Sequence, residues 1–200
     1  MRTVTQLYDS YDDARSAVKA LENAGVPSDD ISIVTSNASG IDVEGQGSRA
    51  AEGAGTGAGV GAVAGGAGGL LTGLGMLAIP GVGPVVAAGW LAATAAGAVA
   101  GAVAGGAVGG IVGAMVSEGV PEDEANFYAE GIRRGGSVVT ARVEESKIAS
   151  AQSILSQSHP VDYASRRANY EEQGWNSFDE NAEPYSADQI EAERSRYRRG

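Results

Sequence analysis

Residues 53–117 contain no Asp, Glu, Lys or Arg, and this uncharged stretch constrains the fold of the chain more than any other feature. Within it, glycine recurs at every fourth residue in two series. The first is Gly53, Gly57, Gly61, Gly65, Gly69 and Gly73, and the second is Gly97, Gly101, Gly105, Gly109 and Gly113, extended backwards through Ala93 to Gly89. Because residues four apart lie on one face of a helix, each series predicts a helix with a ridge of glycines, here called a glycine ladder.

Residues 79–84 between the two ladders predict a turn, because they combine two prolines with two glycines. We therefore expect residues 53–117 to form a helical hairpin, with the ladders allowing close backbone approach as in a glycine zipper. Each interior glycine weakens a helix by about 1 kcal/mol relative to alanine, so the hairpin needs stabilisation from a bilayer or from other copies.

Large apolar residues gather around the predicted turn, where they would form a tip that contacts lipid or another protein surface. They include Leu70, Leu71, Leu74, Leu77, Ile79, Trp90 and Leu91. Each arm has about 20 residues, enough to cross one hydrocarbon layer as a helix. Three interpretations of the hairpin stay open: association with the inner membrane, a soluble homo-oligomer packed through the ladders, and a low-complexity loop.

Residues 1–36 have the pattern of a βαβ unit. A strand is predicted from Thr3 to Tyr8, and an amphipathic helix follows from Tyr11 to Ala24, capped by Ser10. The β-branched run from Ile31 to Thr35 predicts the second strand. Residues 37–52 then form a linker to the hairpin.

Residues 118–163 predict a second set of helices and strands. Pro121 and three acids begin a helix that ends near Arg133 and Arg134, a strand follows at 137–143, and a second helix covers about 146–157. Residues 161–163 predict a short closing strand. Together the two halves predict an α+β fold, a ferredoxin-like βαβ-βαβ sandwich interrupted by the helical hairpin.

Residues 164–200 form a polar tail that contains five of the eleven aromatic residues of the chain. We expect it to be mostly irregular and to end in a short helix, because residues 186–189 have a capping-box pattern. Trp175 and Phe178 are unusual in a solvated linker. We expect them to dock on this chain itself, with recognition of an unknown protein partner as the alternative.

Composition excludes several classes of function. A formal net charge of −11 opposes binding to nucleic acid, and the absence of Cys with only one His removes most metal and redox sites. His159 lacks an obvious partner, and neither a phosphate-binding nor a dinucleotide-binding loop has its required context. We predict no catalytic residue, no cofactor and no metal. The sequence from Met1 has no secretory signal pattern, which predicts a cytoplasmic or inner-membrane protein with both termini in the cytoplasm.

Several stretches resemble a known family. They are the unit from Val4 to Val34 with Gly25-Val26-Pro27, the glycine-rich middle, and residues 119–125 and 136–139. This pattern is similar to the small bacterial general stress proteins of the heat-induced, YflT-like type. The resemblance implies a stress-induced protein without an established enzymatic activity, so it supplies no catalytic residue.

Two functional hypotheses follow. The first is a non-enzymatic stress-response protein that associates with the membrane, self-assembles through the glycine zipper, or does both. The second is a soluble ligand-sensing or protein-interaction module in which the glycine-rich segment is a flexible insertion.

Overall fold

The computed structural model of the chain describes residues 1–38, 75–94 and 110–197, which form an antiparallel sheet with helices on both faces. The strands are β1 (Arg2–Tyr8), β2 (Ile31–Ser36), β3 (Gly75–Ile79), β4 (Gly83–Gly89) and β5 (Ser137–Val143). The principal helices are α1 (Tyr11–Asn23), α2 (Gly110–Ser117), α3 (Glu122–Arg133), α4 (Ile148–Ser156), α5 (Tyr163–Glu172) and α6 (Ala187–Tyr197). The predicted α+β class is confirmed.

The βαβ unit at the N-terminus forms as its local sequence predicts. Ser10 caps α1 by accepting a hydrogen bond from the Asp13 amide at 3.1 Å, and Gly25 follows the helix with a left-handed φ of 82°. The buried face of α1 consists of Ala14, Ala17, Val18 and Leu21, which have the predicted spacing.

The strand order is β1-β5-β2-β4-β3, and each neighbouring pair is antiparallel. Strand β5 therefore lies between β1 and β2, which run parallel to each other and are joined through α1. This is a split βαβ arrangement. Strands β4 and β3 extend the sheet beyond β2, so the sheet differs from the four-stranded ferredoxin-like order.

The predicted helical hairpin is wrong for residues 75–89, which form β3, a turn and β4. The predicted turn itself is present, and the Val82 amide donates to the Ile79 carbonyl at 3.1 Å. Strand pairing prevails because β4 places Val85 and Val86 against β2, where both side chains are fully buried. A helix there would instead carry Pro84 and several glycines.

The predicted closing strand at 161–163 is wrong, since Tyr163 begins α5 and Asp162 caps it. Val161 nevertheless forms hydrogen bonds with β1. The Val161 amide donates to the Leu7 carbonyl at 2.8 Å, and Gln6 Nε2 donates to the Val161 carbonyl at 3.0 Å. The outer edge of β1 is therefore partly covered.

The two faces of the sheet carry separate cores because side chains alternate along each strand. Val4, Ile33 and Val139 pack with α1 and α4. Leu7 and Val138 face the other side, toward α2, α3 and the tail. Trp175 and Phe178 of the tail are buried there, which confirms the prediction that the tail docks on its own chain. The tail is more helical than expected, because α5 and α6 cover much of it.

Candidate functional surfaces

The glycine ladders lie mostly outside the described residues. This holds for Gly53, Gly57, Gly61, Gly65, Gly69, Gly73, Gly97, Gly101, Gly105 and Gly109. Gly113 is described and lies in α2, as the helical prediction requires. Ile111, Ala114 and Met115 form the buried side of α2, whereas Gly113 is half-buried and Val116 is 40% exposed. The ladder side of α2 therefore faces away from the core.

Gly89 does not have the predicted helix-packing role, because it ends β4 with a left-handed φ of 88°. A Cβ atom at this position would lie 2.2 Å from the Ile31 carbonyl oxygen and 2.8 Å from Ser32 Cα. Glycine is required here by close approach to the backbone of β2.

The predicted lipid-contacting tip is wrong for the three of its side chains that the structure describes. Ile79, Trp90 and Leu91 are buried in the core, and Trp90 Nε1 donates to the Asp30 carbonyl at 3.3 Å. Leu77 lies in β3, while Leu70, Leu71 and Leu74 lie outside the described residues. Over the described ranges, every helix is too short or too polar to cross a membrane.

A buried ionic network joins α3 to the tail. Arg134 Nε donates to Glu130 at 2.7 Å, and its Nη1 donates to Glu193 at 2.9 Å and to Gln173 at 2.6 Å. The guanidinium also lies 4.1 Å from the centre of the Tyr170 ring. Burial alone would lower the pKa of Arg134, but hydrogen bonding to Glu130 and Glu193 outweighs it and raises the pKa. Arg134 therefore stays charged and ties α6 to α3.

A second arginine ties α5 to the end of β1. Arg166 donates to both carboxylate oxygens of Asp9, at 2.7 and 2.8 Å, and lies 3.4 Å from the centre of the Tyr197 ring. The two arginines line a cavity of about 10 Å³, room for roughly one water molecule. The sequence did not predict this network, because Asp9 and Arg166 are 157 residues apart in the chain.

A more open groove of about 340 Å³ runs between the end of α3 and tail residues 173–185. Arg133 lies on its wall, donates to the Glu183 carbonyl at 3.0 Å and stacks 4.9 Å from the centre of the Tyr185 ring. Within the described ranges, no group of three or more His, Asp or Glu residues is arranged to hold a metal ion. His159, for which the sequence shows no obvious partner, is 88% exposed, and its Nδ1 lies 3.7 Å from Asp13 Oδ1.

The buried tyrosines should make the protein less stable at alkaline pH. Burial raises the pKa of Tyr8, Tyr128 and Tyr170 above the ordinary value of 10.0. The folded state therefore keeps protons that the unfolded chain releases near pH 10. We expect the free energy of unfolding to be constant up to about pH 10 and then to fall by about 1.4 kcal/mol per pH unit for each tyrosine.

Urea unfolding between about pH 9 and pH 11.5 measures this dependence. Tyr8→Phe should reduce the slope, because it removes one of the tyrosines whose pKa is raised by burial. A free energy of unfolding that stays flat over this range would contradict the prediction.

Comparison with known families matches residues 3–80 to the heat-induced stress protein YflT domain. This match runs from β1 through β3 and so includes the βαβ unit. No curated protein and no solved structure matches the chain significantly. The resemblance seen in the sequence is thus confirmed for this part of the chain. Residues 3–80 of the chain are thus similar to the heat-induced stress protein YflT domain, and α1, β2 and β3 lie within this range.

Proposed function

We propose that this protein acts in the general stress response by self-assembly and not by catalysis, and that copies meet through the glycine ladder of which Gly113 is part. The YflT domain supports the stress-response role. The main support for self-assembly is the orientation of α2. Its buried side packs on the rest of the protein, whereas Gly113 and Val116 face outward.

Charge also favours the ladder as the contact surface. The chain carries a net charge of −11, so most surfaces of two copies repel each other. Residues 53–117 carry no charge, and the ladder can therefore approach its copy without this repulsion. A glycine ridge also permits the short interaxial distance at which many backbone contacts form.

Self-assembly is favoured over membrane insertion by the burial of the predicted tip. Ile79, Trp90 and Leu91 are buried in the core of the protein, so three of the residues expected to contact lipid do not reach the surface. The cavity between Arg134 and Arg166 gives a catalytic role little support, because it has room for only about one water molecule and both arginines are paired with acids of the same chain.

Gly113→Leu tests the proposal, because it fills the ridge on the outward side of α2. Sedimentation velocity over a range of concentrations should show assembly of the natural chain and at least a tenfold weaker association of the variant, equivalent to about 1.4 kcal/mol. Helix propensity rises with this change, so unfolding of α2 would not explain a loss of assembly.

Ser153→Leu is the matched control, since it adds the same side chain to an exposed position of α4. Equal association of both variants and the natural chain would refute the ladder interface. Flotation with anionic and neutral lipid vesicles distinguishes the membrane alternative, which predicts that a monomer binds vesicles and that Gly113→Leu does not change its size.

A further inference from the structure

The described residues cover the two edges of the sheet unequally. The outer edge of β1 is partly covered by Val161, which pairs with Leu7. At the opposite edge, β3 pairs with β4 alone within the described ranges. Its sequence from Gly75 to Ile79 contains none of the charges or prolines that usually block the pairing of an exposed edge.

The register shows which backbone groups of β3 point outward. The Asn37 amide donates to the Pro84 carbonyl at 2.8 Å, so this carbonyl faces β2 and not β3. Ala78 lies opposite Pro84, and the two therefore form a non-hydrogen-bonded pair. The N–H and C=O of Ala78 point to the open edge, as do those of Met76 two residues earlier.

We propose that the outer edge of β3 pairs with β3 of a second copy of this chain, so that the two sheets join across a two-fold axis. The pairing is antiparallel and centred at Leu77, with Met76 opposite Ala78 of the second copy. Each such pair exchanges two backbone hydrogen bonds. The inference shares with the proposed function the premise that the protein self-assembles, but it uses a different surface.

A second copy fits this edge better than another partner does. A chain of charge −11 repels its copy at most surfaces, whereas β3 and its sequence neighbours are uncharged. Met76 is 57% exposed and Ala78 is exposed on the same face of β3. Two-fold pairing brings the Met76 side chains of both copies toward the exposed Ala78 positions and removes apolar surface from water.

Ala78→Pro tests this pairing, because proline removes the outward N–H and leaves the hydrogen bonds between β3 and β4 in place. Ala78→Val is the matched control, since it keeps the N–H and favours a strand. We expect sedimentation velocity to show association at least tenfold weaker for Ala78→Pro and not weakened for Ala78→Val. Urea unfolding of both variants shows whether the monomer remains folded.

Comparison with Gly113→Leu separates the two interfaces. If only Ala78→Pro weakens association, the edge pairing stands and the ladder interface fails; if only Gly113→Leu does, the edge pairing is overturned. Equal association of Ala78→Pro and Ala78→Val also overturns it, and a fall in unfolding free energy for Ala78→Pro alone would then indicate that another part of the same chain pairs with this edge. A natural chain that remains monomeric at every concentration overturns both proposals.

Discussion

Gly89→Ala should lower the free energy of unfolding by about 3 kcal/mol or more, one of the largest effects expected for a single methyl group in this protein. The left-handed φ of 88° disfavours alanine by about 1–2 kcal/mol. The added Cβ would also meet the Ile31 carbonyl oxygen at 2.2 Å, and this oxygen belongs to the backbone of the neighbouring strand and cannot move aside easily. Urea unfolding with a two-state analysis measures the loss.

The same variant distinguishes the strand from the helix predicted by the ladder pattern. In a helix, Gly89→Ala would stabilise the protein by about 1 kcal/mol. Gly75→Ala is the matched control within the same hairpin, because a Cβ there would meet the Ala87 carbonyl oxygen at an ordinary 3.9 Å. We expect Gly75→Ala to change stability by about 0.5 kcal/mol at most. An unchanged or higher stability of Gly89→Ala would contradict the strand assignment.

Arg134→Met should lower the free energy of unfolding by about 3 kcal/mol, because it leaves two buried carboxylates without their main partner. Glu130 is 1% exposed and Glu193 is 7% exposed, and both are hydrogen-bonded to Arg134. Arg133 and Arg196 still contact these carboxylates, at 3.3 and 3.2 Å, and limit the loss. Chemical denaturation gives the change in stability, and hydrogen exchange should show reduced protection of α6.

Arg133→Met is the neighbouring control, since Arg133 lies nearer the surface and its contact with Glu130 is longer. We expect its effect to be about 1 kcal/mol. Adding Glu130→Gln and Glu193→Gln to Arg134→Met should restore part of the stability, because the penalty comes from unpaired buried charge. Equal losses for Arg133→Met and Arg134→Met would show that the network contributes little beyond side-chain packing.

Elements with local signals are the ones that the sequence predicts correctly. Helix α1 has its cap at Ser10, its apolar residues at helical spacing and Gly25 at its end, and all three signals depend on neighbours within the same turn or two. Helix α3 begins after Pro121 with three acids, and β5 contains the β-branched run from Val138 to Thr140. These preferences agree with the tertiary structure, so the elements form where they are predicted.

Residues 75–89 show where local pattern is insufficient. Glycine at a four-residue spacing fits a helix ridge, yet Val85 and Val86 equally suit a buried strand. Pairing of β4 with β2 decides between the two, and it buries both valines beside residues more than 45 positions earlier in the chain. The same pairing fixes Gly89 against Ile31 and draws Ile79, Trp90 and Leu91 into the core.

For the candidate surfaces too, some features follow from the sequence and others only from the tertiary structure. The sequence by itself determined the βαβ unit, the resemblance to YflT-like stress proteins, the four-residue glycine spacing that includes Gly113 and the tendency of the aromatic tail to dock. Tertiary structure decided which edge of the sheet the other described residues leave unpaired and which acids pair with Arg134 and Arg166. The physical reason is separation along the chain: capping and periodicity depend on residues within one or two turns, whereas strand pairing and buried ion pairs join residues that only the folded chain brings together.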